Sequence, residues 1–268
     1  MNRFLLTIFL MNVFWSAGHG QSVPNKQTSP IRIGERLTYL GELNRIVRGI
    51  DIGEMTFSVV PEEAPGSAVI LSEAKSRGSL TALLRFSFLQ RYASYVSLDG
   101  KRAIRTTKYD AQRERVRESD ALFSYEKNSV TFIEKNPKNP NAPPRTIASE
   151  LDGDTHDIIT AIFFLRGAPL KVGNSFEVPV SDSGLVYRIP VRVTGKEYQK
   201  TYLGRVLCVR VEPDVFGAGR FIEQKGSMVI WITDDERRIP VRSQIKTEMG
   251  RLEIKLKSYS MPTIQSAK

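Results

Sequence analysis

The chain has 268 residues, a formal net charge of +10 at pH 7 and one cysteine. A lone cysteine excludes an intramolecular disulfide, and the basic excess favours anionic partners such as lipid headgroups, cell-wall polymers or acidic proteins. Beyond the first twenty residues no apolar run approaches the roughly 20 residues needed to span a bilayer as a helix.

Residues 1–20 have the layout of a secretory signal. Arg3 supplies the positive start and Phe4 to Trp15 the apolar run. Gly18 and Gly20 are the small residues before a cut ahead of Gln21. No cysteine follows the apolar run, so a lipid anchor is not expected. Removing this segment leaves about 248 residues with a charge near +9, enough for one large β-domain or two small ones. The expected location is periplasmic or secreted, where nucleic acid is not an expected partner.

Residues 21–30 are polar with two prolines and predict a flexible leader. From Ile31 the dominant period is two. "ERLTYLGEL", "RIVRGI" and "GEMTFSVV" predict three short strands, with hairpin turns or bulges at Gly41 and at Gly49 to Gly53. "SAVILSEAKS" is a fourth strand. "SLTALLRFSFLQR", Ser79 to Arg91, suits a short helix capped by Ser79, although its alternation also fits a strand.

Asp99-Gly100 between two alternating runs predicts a two-residue hairpin turn, because such turns need positive φ. Two strands follow around Lys127-Asn128. Within them Arg113, Arg115 and Arg117 have the spacing of one strand face and form a candidate basic stripe. "NPKNPNAPPR", Asn136 to Arg145, carries four prolines and predicts an exposed loop that could separate two halves of the chain.

"DGDTHDIITAIFFLRGAPL" predicts a helix over 155–166, capped by Asp154 or Thr155 and stopped by Gly167 and Pro169. Its second half is apolar nearly all round, so it must be buried, against or inside a curved sheet. A nearly continuous strand series runs from Ser175 to Tyr259. The alternating "VLCVRVEP" makes Cys208 a buried hydrophobe.

Sites that could carry chemistry are few. Asp152, Asp154, His156 and Asp157 could ligate a divalent ion, but a helix start explains acidic residues without one. Asp234-Asp235 falls between two strands and predicts a hairpin turn, with Arg237 and Arg238 able to pair at its tip. No G-x-S-x-G, H-E-x-x-H, P-loop or G-x-G-x-x-G pattern is present.

Three stretches together carry a resemblance. They are "GERLTY" with "GIDIGEMTF", "DIITAIFFLRGAPLKVG", and "KGSMVIWITDDERRIPVRSQIKTEMGRLEIKL". Across Gly34 to Leu256 the chain resembles exported bacterial proteins of the domain-of-unknown-function 3108 family. That resemblance implies a secreted or periplasmic β-rich protein with no catalytic residues to carry over. It also implies an architecture similar to the open barrels of periplasmic lipoprotein carriers.

The expected fold is therefore mainly all-β: one domain over 31–260, a strongly curved antiparallel sheet forming an open or closed barrel or spiral around one buried helix. The expected function is non-catalytic binding or carriage of an apolar or amphiphilic ligand in the cell envelope. Ile162, Phe163 and Trp231 are the candidate apolar contacts, and Arg113, Arg115 and Arg117 the candidate anionic ones. No catalytic residue, metal or cofactor is expected. The rival readings are a protein-interaction module for envelope assembly and a glycan hydrolase using Asp157, Asp234 or Asp235.

Overall fold

The computed structural model describes residues 29–44, 50–77, 87–248 and 250–262. The eight strands before the helix are β1 (Arg36–Asn44), β2 (Ile50–Pro61), β3 (Ser67–Ser76), β4 (Phe88–Ser97), β5 (Ala103–Gln112), β6 (Arg115–Ser124), β7 (Ser129–Lys135) and β8 (Arg145–Glu150). The helix α1 (Ile158–Gly167) follows. After it come β9 (Ser175–Asp182), β10 (Leu185–Thr201), β11 (Gly204–Pro213), β12 (Gly226–Thr233), β13 (Pro240–Thr247) and β14 (Gly250–Ser260).

All fourteen strands form one antiparallel sheet in the order β8 to β1, then β14 to β9. Each strand pairs with its chain neighbour, and β1 pairs with β14 to join the two runs. The chain thus works outward to β8, crosses through α1 and works back inward from β9. The two unpaired edges, β8 and β9, flank the helix segment in sequence.

The ladder itself does not close. The strap 151–156 spans the gap instead. Its His156 N–H donates to Pro179 O at 2.9 Å and His156 O accepts from Ser181 N at 2.7 Å, which adds a parallel bridge to β9. On the other side Ala103 N donates to Thr155 O at 2.9 Å and Leu151 N to Asn128 O at 3.1 Å. The β9 edge groups Pro179 O and Ser181 N, which would otherwise stay unpaired, are satisfied this way, while the strap's other bonds reach β5 and the β6–β7 turn.

The β9–β10 turn, Ser183-Gly184, seals the same seam. Both residues have positive φ (51° and 82°), the geometry of a type I′ turn. A Cβ on Gly184 would lie 2.8 Å from Phe132 and Ile147 side-chain atoms of β7 and β8. Only glycine allows this turn to press onto the opposite edge.

Several expectations change. The first and third expected strands are β1 and β2, and Gly41 lies opposite Gly53 at a register shift, which makes it the bulge of the two alternatives. Residues 45–49 of "RIVRGI" lie outside the described residues. So do residues 79–86 of the expected helix at Ser79 to Arg91, while Phe88 to Arg91 are strand. The Asp99-Gly100 turn is a five-residue connection, 98–102, in which Asp99 Oδ1 accepts from Lys101 N at 3.1 Å. The proline-rich loop divides nothing, because the strands on either side of it, β7 and β8, pair.

The expected signal segment, 1–20, and residues 21–28 of the expected leader lie outside the described residues, and the end of the leader is packed against the fold. Pro30 sits where a Cβ on Gly100 or Gly167 would approach within 2.5 or 3.3 Å, and Ile31 is buried. This explains Gly167, which is the last helical residue and not a left-handed stop. The helix also starts later than expected. Asp154 and Thr155 are drawn into the strap, so Asp157 caps: its Oδ1 accepts from Ile159 N and Thr160 N, both at 2.7 Å, and Thr160 Oγ1 completes a capping box.

The helix divides the interior. Ile159 and Phe163 pack with Leu37, Phe57, Ile70 and Val96 on one side. Leu165, with Ile158, Ala161 and Phe164, packs towards Val178, Val191, Val211 and Ile230 on the other. The lack of a polar face follows from contact on both sides.

Candidate ligand-binding hollow

The helix does not fill the barrel. A hollow of about 230 Å³ lies between Ile158, Ala161, Ile162 and Leu165 of α1 and the inner faces of β9 to β13, with Val178, Val180, Ile189, Val191, Ile230 and Ile245 as wall. A second hollow of about 80 Å³ adjoins it, lined by Leu37, Tyr39, Met55, Phe57, Phe163 and Ser243. Ile162, Met228 and Ile230 line both, so the two hollows meet at these side chains beside the helix, and Arg166 and Arg242 add charged groups to the rim of the smaller one.

Alternation builds this lining. Met228, Ile230 and Ile232 of β12 face inward, and Val229 and Trp231 face the other way. The β11–β12 connection, 214–225, covers one side with Phe221 and Ile222. Phe221 meets Tyr187 edge-on at 5.6 Å.

A polar knot closes the far side of the helix. Arg166 forms a fork with Glu35, with Nη2 to Oε1 at 2.8 Å, and both side chains are sealed from solvent. Two further donors reach Arg238 O (Nε, 3.1 Å) and Arg237 O (Nη2, 3.1 Å). Tyr39 Oη donates to Pro240 O at 2.8 Å, and burial pushes its phenol far above the ordinary value.

Asp234-Asp235 is the turn behind this knot. Asp235 accepts from Thr233 Oγ1 at 2.7 Å, Arg237 N at 3.0 Å and the Arg237 guanidinium at 2.6 Å. Burial opposes ionisation, but these donors outweigh it and hold the carboxyl below its ordinary range. Asp234 pairs with Lys196. The two acids shape the loop whose carbonyls receive Arg166.

The Asp152–Asp157 cluster is dispersed. Asp152 pairs with Arg188, Asp154 is exposed, His156 stacks on Phe164 at 4.6 Å, and Asp157 caps the helix and accepts from Thr106. Burial pushes His156 down to about 4 and raises Asp157. Burial also pushes Cys208 up to about 12.

The structure brings only two of the candidate residues to the hollow. Ile162 lines both parts, and Phe163 lines the smaller, edge-on to Phe57 at 5.9 Å. Trp231 faces away from the helix. Its indole donates to Glu197, and Arg242 lies over its ring at 4.9 Å. The basic stripe does not form. Arg113 has φ 54° and occupies a two-residue turn between β5 and β6. Arg115 pairs with Asp110 at 3.1 Å and Arg117 with Glu134 at 3.6 Å. Sequence reasoning missed Glu35, Met228, Ser243 and the Arg166 fork. A single arginine in an otherwise apolar helix was the available signal.

No described helix is long and apolar enough to cross a membrane. No curated protein matches the sequence. Among solved structures, a β-barrel-like protein of domain of unknown function DUF1849 from Brucella abortus is 12% identical with a TM-score of 0.58, covering 86% of this chain and 98% of that one. A protein described as exported, with a YmcC-like fold, from Bacteroides fragilis is 10% identical with a TM-score of 0.38, covering 87% and 98%. The first shares the barrel-like architecture. The family described as "Protein of unknown function (DUF3108)" matches residues 36–257, which include β1, α1 and the turn that meets them, and the chain belongs to that family.

Proposed function

We propose that the protein binds the hydrocarbon chain of an amphiphile in the hollow beside α1, without catalysing a reaction on it, and that it does so outside the cytoplasm. The observation that carries this reading is the apolar hollow of about 230 Å³ left between Ile158, Ala161, Ile162 and Leu165 and the inner faces of β9 to β13. Protein interiors are close-packed, so an unfilled apolar space of this size gives up contacts that a ligand could restore.

Size sets the ligand class. Pockets for drug-sized ligands span about 300–1,000 Å³; this one suits a single chain. Each buried methylene contributes about 0.8 kcal/mol against an association cost of about 4–15 kcal/mol, so roughly five to nineteen buried methylenes offset that cost. The signal-like residues 1–20 support an envelope location, and the positive charge favours encounter with anionic surfaces within about 8–10 Å at physiological salt.

The test is native mass spectrometry of the mature protein purified from its own envelope, followed by organic extraction. A stoichiometric acyl-bearing molecule supports the reading. A bare mass that also fails to take up added ten- to sixteen-carbon amphiphiles removes it and favours a protein-interaction module.

A further inference from the structure

We infer that residues 217–225, the outer part of the β11–β12 connection, are a hinged flap through which the apolar ligand enters and leaves the wide hollow. This rests on the binding reading above and names the route to that site and the residues that control it.

Of the residues that line the wide hollow, all but three lie in α1 or in β9 to β13. The exceptions are Val215, Phe221 and Ile222, and all belong to this connection. Val215 and Phe216 form its buried root. The Phe216 ring packs against Gly226, where a Cβ would lie 2.7 Å from a ring atom. Phe221 and Ile222 are half-buried and form the outer cover. The flap is bonded to itself. Gly217 N donates to Ile222 O at 3.0 Å, Ile222 N to Val215 O at 2.8 Å and Arg220 N to Gly217 O at 3.1 Å. The Arg220 guanidinium pairs with Asp214 of the same connection at 3.1 Å. Asp214 N in turn donates to Pro190 O at 2.8 Å, which fixes the root to β10. Among the described residues, no hydrogen bond or ion pair joins 217–225 to anything outside 214–225.

Apolar contact therefore holds the flap down, through Ile222 over the hollow and through Phe221, which meets Tyr187 edge-on at 5.6 Å. A segment with few buried contacts and no ladder bonds opens at low free energy. Opening any other part of the wall would break the sheet or unseat the helix. The backbone supplies the pivot. Gly217 has φ 125° and Gly219 φ 68°, both in the region that glycine enters freely. A Cβ on Gly219 would meet no atom within 4 Å, so backbone conformation, and not crowding, calls for glycine there. A few such residues suffice to absorb the motion of a lid. A chain in the hollow touches Phe221 and Ile222 only when the flap is down, so binding favours the closed form.

The experiment follows uptake and release of the neutral apolar dye N-phenyl-1-naphthylamine by stopped-flow fluorescence in the mature wild type, Gly219→Ala and Gly173→Ala. Gly219→Ala leaves the lining of the hollow untouched and directs its methyl into open space, but it penalises the left-handed backbone of the closed flap. Gly173→Ala imposes the same kind of penalty in the connection between α1 and β9, where a Cβ also meets nothing within 4 Å. The expected result is that Gly219→Ala speeds both uptake and release about fivefold or more, the range that a left-handed alanine costs, with affinity changed by less than about threefold. Gly173→Ala should change both rates by less than about twofold, although it destabilises the fold by a similar amount. Rates in Gly219→Ala equal to wild type, or an equal acceleration in Gly173→Ala, overturn the inference and leave chain binding intact. If wild type takes up no dye, the binding reading fails and this inference fails with it.

Discussion

Glu35 and Arg166, 131 residues apart in the chain, form an ion pair whose two side chains are sealed from solvent. The same guanidinium collects the carbonyls of Arg237 and Arg238. The three stretches that carry the family resemblance, "GERLTY", "DIITAIFFLRG" and "DDERRIP", thus meet at one side chain. The knot pins the C-terminal end of α1 to the residue just before β1 and to the β12–β13 turn.

Removing one partner leaves the other buried and uncompensated. Arg166→Met or Glu35→Gln is expected to lower stability by about 3–5 kcal/mol, measured by urea unfolding. Glu35→Met combined with Arg166→Met should recover part of that loss, because no charge then remains. A double variant no more stable than either single one would show that the carbonyl contacts, and not the ion pair, dominate.

Gly184 and Gly173 both have positive φ, but only Gly184 faces neighbours. Gly173→Ala should lose about 1–2 kcal/mol from backbone strain alone. Gly184→Ala should lose a further 1–3 kcal/mol from collision with Phe132 and Ile147. Equal losses in denaturant melts would mean that the β9–β10 turn does not seal the seam.

His156 is buried neutral, with its folded-state value pushed from 6.5 down to about 4 by burial. Between those two values the unfolded chain binds the extra proton, so this contribution is present above pH 6.5 and is lost as pH falls towards 4. The loss should reach up to about 3 kcal/mol. His156→Phe should flatten that part of the stability profile relative to wild type, and other groups titrating in the window cancel in the comparison. An unchanged slope would place the ring in water.

Filling the hollow separates binding from folding. Ala161→Phe projects a ring among Ile162, Leu165 and Ile230. Decanol should then bind more than tenfold more weakly, while the thermal midpoint stays within a few degrees. Retained affinity would place the ligand elsewhere.

The two aspartates of the β12–β13 turn should behave as turn residues. Asp235→Ala loses the backbone bonds to Arg237 and Arg238 and should cost about 0.5–2 kcal/mol, by analogy with helix caps. Asp234→Asn loses a half-exposed pair with Lys196 and should cost less than about 1 kcal/mol. A larger effect of Asp234→Asn on cellular function than on stability would reopen the hydrolase reading.

Alternating side chains in β9 to β14 and an apolar helix ended by Pro169 were enough to read an all-β sheet around one buried helix, because period and turn chemistry are local properties. Inward and outward faces of β12 were legible for the same reason, although which face met the helix was not. Local patterns could not show that β1 pairs with β14, that the strap 151–156 closes the seam, or that Arg113 sits in a turn while Trp231 looks outward. They also could not join Glu35 to Arg166 or set Ser243 opposite Ile230 beside an open space. Those relationships depend on strand register and on the volume left between packed elements. Both arise only when distant segments are brought together, and a single-residue shift in register would exchange every inward side chain for an outward one.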